Sequence, residues 1–257
     1  MVETTTLAGR HALITGAGTG IGAAIAAMLS AAGATVTLAG RRLAPLQEVA
    51  GRLDNAHVVT MDVTDEAAVA DAFETAQSAA GPVDILVNNA GAVETAKFTA
   101  MDSAQWQRIL NVNLTGVYLC MSQALPGMLE RDFGRIINVA STSGLKGYAY
   151  VSAYSAAKHG VIGLTRSVAL EIAGSGVTVN AVCPGYTDTE LVRASVEKIT
   201  ERTGKPREEI VGQLASSMPT KRLIQPDEVA RTVLWIARDT GNEILGQSIV
   251  VAGGEIM

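Results

Sequence analysis

Short runs of β-branched and apolar residues alternate along the chain with longer, Ala-rich segments of helical period. The short runs predict strands over His11–Thr15, Thr35–Ala39, His57–Met61, Ile85–Asn88, Arg135–Ala140, Thr178–Cys183 and Ser248–Val251. The periodic segments predict helices over Ile21–Ala32, Leu43–Leu53, Asp65–Ala80, Ser103–Arg131, Ala153–Ala173, Thr189–Ala215 and Pro226–Ala237. Asp65 before Glu66, and Pro226 at a first-turn position, read as helix starts. The strands are apolar on both faces, as they must be where helices cover both sides of a parallel sheet. Repeated strand–helix–strand units predict a single-domain Rossmann fold, a doubly wound α/β sheet of about seven strands.

Composition sharpens this picture. The 257 residues suit one undivided domain, taken as 1–257, and 48% hydrophobic against 18% charged residues fits a large core. Net charge is −5, and no Lys/Arg run is dense enough for a nucleic-acid patch. No apolar stretch of about 18 residues predicts a membrane span. The N-terminal segment has no basic region followed by an apolar one, so the reading is a cytoplasmic protein with reduced thiols. Cys120 and Cys183 form no C-x-x-C pair and read as small buried hydrophobes. His11, His57 and His159 do not cluster with Cys or carboxylates at metal-ligand spacing, so no metal site is expected.

The first predicted strand runs into Thr15-Gly16-Ala17-Gly18-Thr19-Gly20-Ile21-Gly22 and then a helix. Glycines let the backbone turn sharply and approach a pyrophosphate, and the helix start supplies free N–H groups and partial positive charge. After the second strand stand Gly40, Arg41 and Arg42, where NAD-binding domains usually carry an acidic residue for the ribose hydroxyls. Arg41 suits a 2′-phosphate, which favours NADP(H) and leaves NAD(H) as the alternative. Two further strand ends fall in the cofactor crevice by topology. One is Asp62-Val63, with Asp62 a partner for the adenine amino group or a cap on the next helix. The other is Asn88-Asn89-Ala90-Gly91.

Tyr154 and Lys158 are four residues apart and share a helical face, and Ser141 ends the fifth predicted strand. Reducing a ketone by hydride transfer leaves an alkoxide that needs a proton, and oxidation needs a base. A free tyrosine, with a pKa of about 10, needs a nearby cation to serve as that base near neutral pH. Ser141 can hydrogen-bond the substrate oxygen. Alone, Tyr-x-x-x-Lys is an ordinary surface pair; its weight comes from the ordered conjunction with the other motifs.

That conjunction resembles the short-chain dehydrogenase/reductase family from Leu7 to about Gly254. The matching positions are Thr15–Gly22, Asn88-Asn89-Ala90-Gly91, Asn113 within Asn111-Val112-Asn113-Leu114, Ser141, Tyr154, Lys158, and Pro184-Gly185 followed by Thr187 and Thr189. The resemblance implies a catalytic tetrad. Tyr154 would be the general acid/base, Lys158 would lower its pKa and bind ribose, Ser141 would position substrate, and Asn113 would hold a relay water. Ser143 and Asn111 are the neighbouring alternatives. The resemblance also implies cofactor contacts from Gly16, Thr19, Gly20, Ile21, Gly22, Asn89, Ala90 and Gly91. Pro184, Gly185, Thr187 and Thr189 would surround the nicotinamide. Thr19 departs from the basic residue that many NADP-preferring members carry there. The implied substrate is a 3-hydroxyacyl or 3-oxoacyl thioester or a related hydroxy compound, as in polyketide-type ketoreductases.

The region 186–225 matches the family's variable substrate lid, with Leu145, Tyr148, Val151, Leu191 and Met218 expected in the pocket. The expected assembly is a homotetramer built on the two long helices. A catalytically silent cofactor-binding subunit is the alternative reading, and an α/β methyltransferase the third; neither needs the full tetrad.

Overall fold

The computed structural model describes residues 6–238 and 242–256. The expectations resting on residues 1–5 and on the extreme ends of the range 1–257 lie outside the described residues. Seven parallel strands form one sheet in the order β3-β2-β1-β4-β5-β6-β7. They are β1 (His11–Thr15), β2 (Thr35–Gly40), β3 (Ala56–Thr60), β4 (Ile85–Asn88), β5 (Gly134–Val139), β6 (Val177–Pro184) and β7 (Ser248–Val251). The expected doubly wound α/β fold is therefore present.

Helices cover both faces, and each face has its own apolar core. α1 (Gly20–Ala31), α2 (Leu43–Ala50) and α9 (Pro226–Ala237) bury Ile25, Leu29, Leu46, Val229, Val233 and Ile236 on one side. α3 (Glu66–Ala80), α5 (Gly116–Glu130) and α6 (Ser152–Glu171) bury Val69, Phe73, Cys120, Met128, Val161 and Ile162 on the other. Cys183 joins this second core, as its reading as a buried hydrophobe requires. The chain changes faces after β3, so β1 pairs with both β2 and β4. The crevice outside the carboxyl ends of β1 and β4 is where such sheets hold ligands.

Two expected long helices are broken. The segment 103–131 is α4 (Ser103–Leu110), a π-helical turn over Asn111–Thr115, and α5. A Cβ at Gly116 would lie 2.9 Å from the Val63 carbonyl oxygen, so this residue packs directly on the strand-end segment. The segment 189–215 is α7 (Glu190–Thr203) and α8 (Arg207–Ser216). Gly204 is left-handed at φ 68°, and Pro206, fixed at φ −57°, precedes the second start. α2 also stops at Ala50, three residues short of its expected end. Asp65 caps α3, its carboxylate accepting from the Ala68 amide at 3.1 Å.

At the opposite end of the strands His11 is buried, with Nδ1 2.7 Å from the Gly81 carbonyl and Nε2 2.8 Å from Thr37 Oγ1. Burial lowers its pKa from the ordinary 6.5, outweighing the Gly81 carbonyl and Asp84, which pull the other way. The unfolded chain therefore binds this proton more readily than the folded one, and stability falls as pH drops through 6.5 toward the lowered value. We expect His11→Gln, which keeps hydrogen-bonding capacity, to lose less stability than the parent between pH 7 and pH 5. Urea midpoints at both pH values would check this, and equal losses would contradict it.

Candidate active site

The glycine loop leaves β1 with Gly16 at φ 65° and enters α1 through Gly20 at φ 53°. A Cβ on Gly16 would lie 2.9 Å from Ala90 Cα, and one on Gly22 would lie 2.3 Å from the Gly16 carbonyl oxygen. Both contacts are too close for any side chain. Thr15 Oγ1 accepts from the Asn89 and Ala90 amides at 3.0 and 2.9 Å. Asn89 returns its side-chain amide to the Thr15 and Gly16 carbonyls at 3.0 and 3.2 Å. Asn89 and Ala90 thus brace the glycine loop from behind. Thr19, the N-cap of α1, makes no side-chain cap bond, so the first-turn amides have no side-chain acceptor from it. This cradle fits a pyrophosphate.

Beside it lies a cleft of about 300 Å³ lined by Gly18, Thr19, Arg42, Pro45, Glu48, Arg52 and Glu190, among others. Arg42 rather than Arg41 borders this cleft, although sequence favoured Arg41. The choice depends on backbone direction at Arg42, the extended N-cap of α2. Arg41 is exposed and lends its charge to Asp62. Asp62 does not cap the next helix. Its Oδ1 accepts from the Thr64 amide and hydroxyl at 2.9 and 2.8 Å. Burial raises its pKa, but these bonds and Arg41 bring it below the usual carboxylate value. Val63 next to it is buried in the core.

Ser141, Tyr154 and Lys158 come together at the carboxyl ends of β5 and β6. Ser141 caps the short 3-10 turn Thr142–Gly144, accepting from the Ser143 amide at 3.0 Å. Ser143 itself is buried in that turn. A Cβ on Gly144 would lie 2.7 Å from the Lys158 carbonyl, so the turn sits directly on α6. Lys158 is buried and donates to the Val139 carbonyl at 2.8 Å. Burial lowers its pKa to about 8, with Cys183 opposing. Its ammonium is 5.7 Å from the Tyr154 ring centre. Burial raises the Tyr154 pKa, and the hydrogen bond with Ser141 only partly offsets this. Lys158 is not among the groups that shift it, so the lowering that the resemblance implies is not seen in this geometry.

Asn113 lies in the π-helical turn and is fully buried. Its amide nitrogen donates to the Ala92 and Ile109 carbonyls at 2.8 and 2.9 Å, and Oδ1 accepts from the Ala92 amide at 3.3 Å. A Cβ on Gly91 would stand 2.9 Å from Asn113 Oδ1 and 3.9 Å from Lys158 Nζ. Gly91 thus keeps open the space between these two groups. Asn111 instead accepts from Gln107 at 2.7 Å, in an exposed setting.

Beneath the site runs a buried polar chain that the sequence did not announce. Asn88 donates to Asn138 Oδ1 at 2.9 Å, Asn138 to Thr165 Oγ1 at 2.9 Å, and Thr165 to the Val161 carbonyl at 2.8 Å. It ties β4 and β5 to the helix carrying Tyr154 and Lys158. Its sequence signals were Asn138 inside the run of β5 and Asn88 at the head of the Asn-Asn-Ala-Gly motif.

Pro184 ends β6, and Gly185 donates its amide to the Val251 carbonyl at 3.0 Å. Thr187 donates to the Gly185 carbonyl at 3.0 Å and pairs in a bridge with Ile224. Thr189 caps α7, accepting from Val192 at 3.4 Å, and its methyl would stand 3.1 Å from a Cβ on Gly20. Thr187, Thr189 and the glycine loop therefore share one crevice. Ile21 packs against the α1-side core. Of the expected pocket residues, Met218 is fully buried in that same core and is not available to substrate. Leu191 is exposed, Leu145 packs on the opposite core, and Val151 precedes α6.

A phosphate cradle at β1 and a Ser–Tyr–Lys group at β5 and α6, on one edge of a doubly wound sheet, define an oxidoreductase of the dinucleotide-binding α/β class. The chain belongs to the short-chain dehydrogenase family, whose model matches residues 10–200. Over 250 residues it is 42% identical to an acetoacetyl-CoA reductase of Rhizobium meliloti (strain 1021), covering 96% of this chain and 98% of that protein. A D-beta-hydroxybutyrate dehydrogenase of the same organism is 40% identical over 254 residues, 95% of this chain and 98% of that one. The solved structure of a variant of actinorhodin polyketide ketoreductase with NADPH superposes with TM-score 0.92 at 34% identity, covering 99% of both chains.

Gly22→Ala should force the glycine loop apart. We expect a loss of about 1–3 kcal/mol, typical of overpacking, seen as a Tm drop of roughly 3–10 °C. Differential scanning calorimetry would read it, and an unchanged Tm would show that the loop yields freely.

Proposed function

We propose that this chain reduces a 3-oxoacyl thioester to the 3-hydroxyacyl compound, using NADP(H). The single observation that carries the reading is the buried Lys158 ammonium beside Tyr154, with Tyr154 hydrogen-bonded to Ser141. When bound, the nicotinamide supplies the hydride. Ser141 orients the substrate oxygen, and Tyr154 passes its proton to that oxygen as the alkoxide forms. Burial keeps the phenol protonated at neutral pH, which suits the reducing direction. Lys158 holds the ribose hydroxyls and offsets charge left on the phenolate. Asn113 Oδ1, with one lone pair beyond its Ala92 bond, and Lys158 Nζ face a common space at Gly91 that a relay water fits.

The residues fit the cofactor. Gly16, Thr19, Gly20, Ile21 and Gly22 surround the pyrophosphate, braced by Asn89 and Ala90, with Gly91 alongside. Asp62 and Val63 border the adenine. Pro184, Gly185, Thr187 and Thr189 wall the nicotinamide. Arg42, on the cleft beside Gly18 and Thr19, is the stronger candidate for a 2′-phosphate, with Arg41 nearby. The thioester reading is supported by the names of relatives such as the acetoacetyl-CoA reductase. No helix among the described residues is long and apolar enough to cross a membrane. A homotetramer is supported by the exposed Tyr118 and Leu129 on α5 and Leu170 on α6, and light scattering would test it.

One experiment tests the reading: acetoacetyl-CoA and simple ketones assayed with NADPH and with NADH. We expect reduction of acetoacetyl-CoA, with Tyr154→Phe slower by about 10²–10⁴-fold. Full activity in that variant would favour the silent cofactor-binding subunit, and activity on simple ketones alone would remove the thioester. Arg42→Ala should raise the KM for NADPH by about tenfold and leave that for NADH unchanged. A lower parental KM for NADH, indifferent to Arg41→Ala and Arg42→Ala, would overturn NADP(H). Activity should also decline as pH rises above about 8, where Lys158 loses its charge; a flat profile to pH 9.5 would contradict that role.

A further inference from the structure

Beyond β7 lies a buried carboxylate that the reaction above does not use. Gly253 and Gly254 take left-handed φ values of 56° and 85° against Thr220 and Pro219, and turn the chain back toward the carboxyl end of β6. The Glu255 side chain that follows is 1% exposed. Burying a carboxylate costs several kcal/mol unless it is paired, so its partners show what it is for. Oε1 lies 3.2 Å from Lys146 Nζ and accepts from the Tyr148 hydroxyl at 2.8 Å. Oε2 is buried with no hydrogen-bond partner among the described residues. It would stand 3.2 Å from a Cβ on Gly185, so the absence of a side chain there makes room for it.

Tyr148 sits between this carboxylate and Thr142 Oγ1, 2.9 Å away. One phenolic proton cannot serve both. It goes to the carboxylate, which can only accept, and the Thr142 hydroxyl donates to Tyr148. The Tyr148 ring is held edge-on to Tyr186 at 6.3 Å, with Lys146 Nζ 4.8 Å above it. Thr142 directly follows Ser141 and opens the 3-10 turn that Ser141 caps. A continuous string, Glu255 to Tyr148 to Thr142, therefore fastens the Ser141 turn to the segment after β7. Tyr148 thus commits its proton to Glu255 and one lone pair to Thr142.

We propose that Glu255 is a positioning residue: it fixes Tyr148, and through Thr142 the turn that sets the Ser141 hydroxyl against the substrate oxygen. The consequence for catalysis rests on the reading of Ser141 given above. Glu255→Ala and Tyr148→Phe should each lower kcat for ketone reduction by about tenfold, the usual scale for losing a hydrogen bond to a charged group. The KM for the cofactor should stay unchanged. Glu255→Gln, whose amide oxygen can still accept from Tyr148, should recover most of the loss, and the Ala/Phe double variant should be no slower than the slower single one. Hydrogen–deuterium exchange over 142–150 should quicken in Glu255→Ala and Tyr148→Phe but not in Glu255→Gln. Parental kcat in both single variants, or losses that multiply in the double one, would overturn the proposal. So would parental exchange over 142–150 in both singles. Tyr148→Phe keeps the ring and decides the matter if Glu255→Ala does not fold. Exchange is read without substrate, so a parent inactive on every ketone would sink the proposed reaction while the anchoring of the turn is still decided.

Discussion

Everything in this molecule hangs on the seam between β1 and β4. There the strand order reverses, running outward from β1 to β3 on one side and from β4 to β7 on the other, so the strand-end loops diverge and leave a crevice between them. The seam is held past its last ladder bond by the Thr15 hydroxyl, which takes two amides from the loop after β4. Asn89 reciprocates onto the glycine loop. The two loops that face a ligand are thereby one rigid body. A glycine loop left to itself would carry the entropy of unconstrained glycines. Here the close contacts at Gly16 and Gly22 take the place of side chains in fixing it.

On the far side of the crevice the same economy appears with charge. Lys158 is an ammonium in the protein interior, tolerable because a strand-end carbonyl receives it. Tyr154 is a phenol kept neutral by its surroundings. The polar chain Asn88–Asn138–Thr165 sits under both and joins two strands to the helix that carries Tyr154 and Lys158, so the lateral position of α6 is set by hydrogen bonds as well as by apolar packing. The site is thus built from the scaffold outward, through hydrogen bonds between residues distant in sequence.

Much of this was legible in the residues. Apolar runs of five or six residues, such as β1, β2 and β5, locate themselves, because a strand buried on both faces has no polar phase to confuse. The spacing of Tyr154 and Lys158 and the glycine loop were equally plain. What failed was continuity. Periodicity runs unbroken through 103–131 because a π-helical turn preserves the apolar stripe on both sides while adding a residue. Gly204 and Pro206, in contrast, were visible breakers in the second overlong helix. Met218 misled because an apolar residue in a lid segment reads alike whether it faces ligand or core. Arg41 and Arg42 could not be separated without knowing which one starts α2. Glu255 gave no signal at all, since its partners are more than a hundred residues earlier.

The π-helical turn at Asn111–Thr115 also separates two kinds of tolerance. Such a turn is one surplus residue threaded into an α-helix. Removing that residue would restore an ordinary helix and leave α4 and α5 in phase, with Val117, Cys120 and Met121 still facing the sheet. What would be lost is the placement of Asn113 against Ala92. The apolar core and the brace of the crevice are therefore written in different registers of the same helix. A single deletion could remove the brace and keep the core.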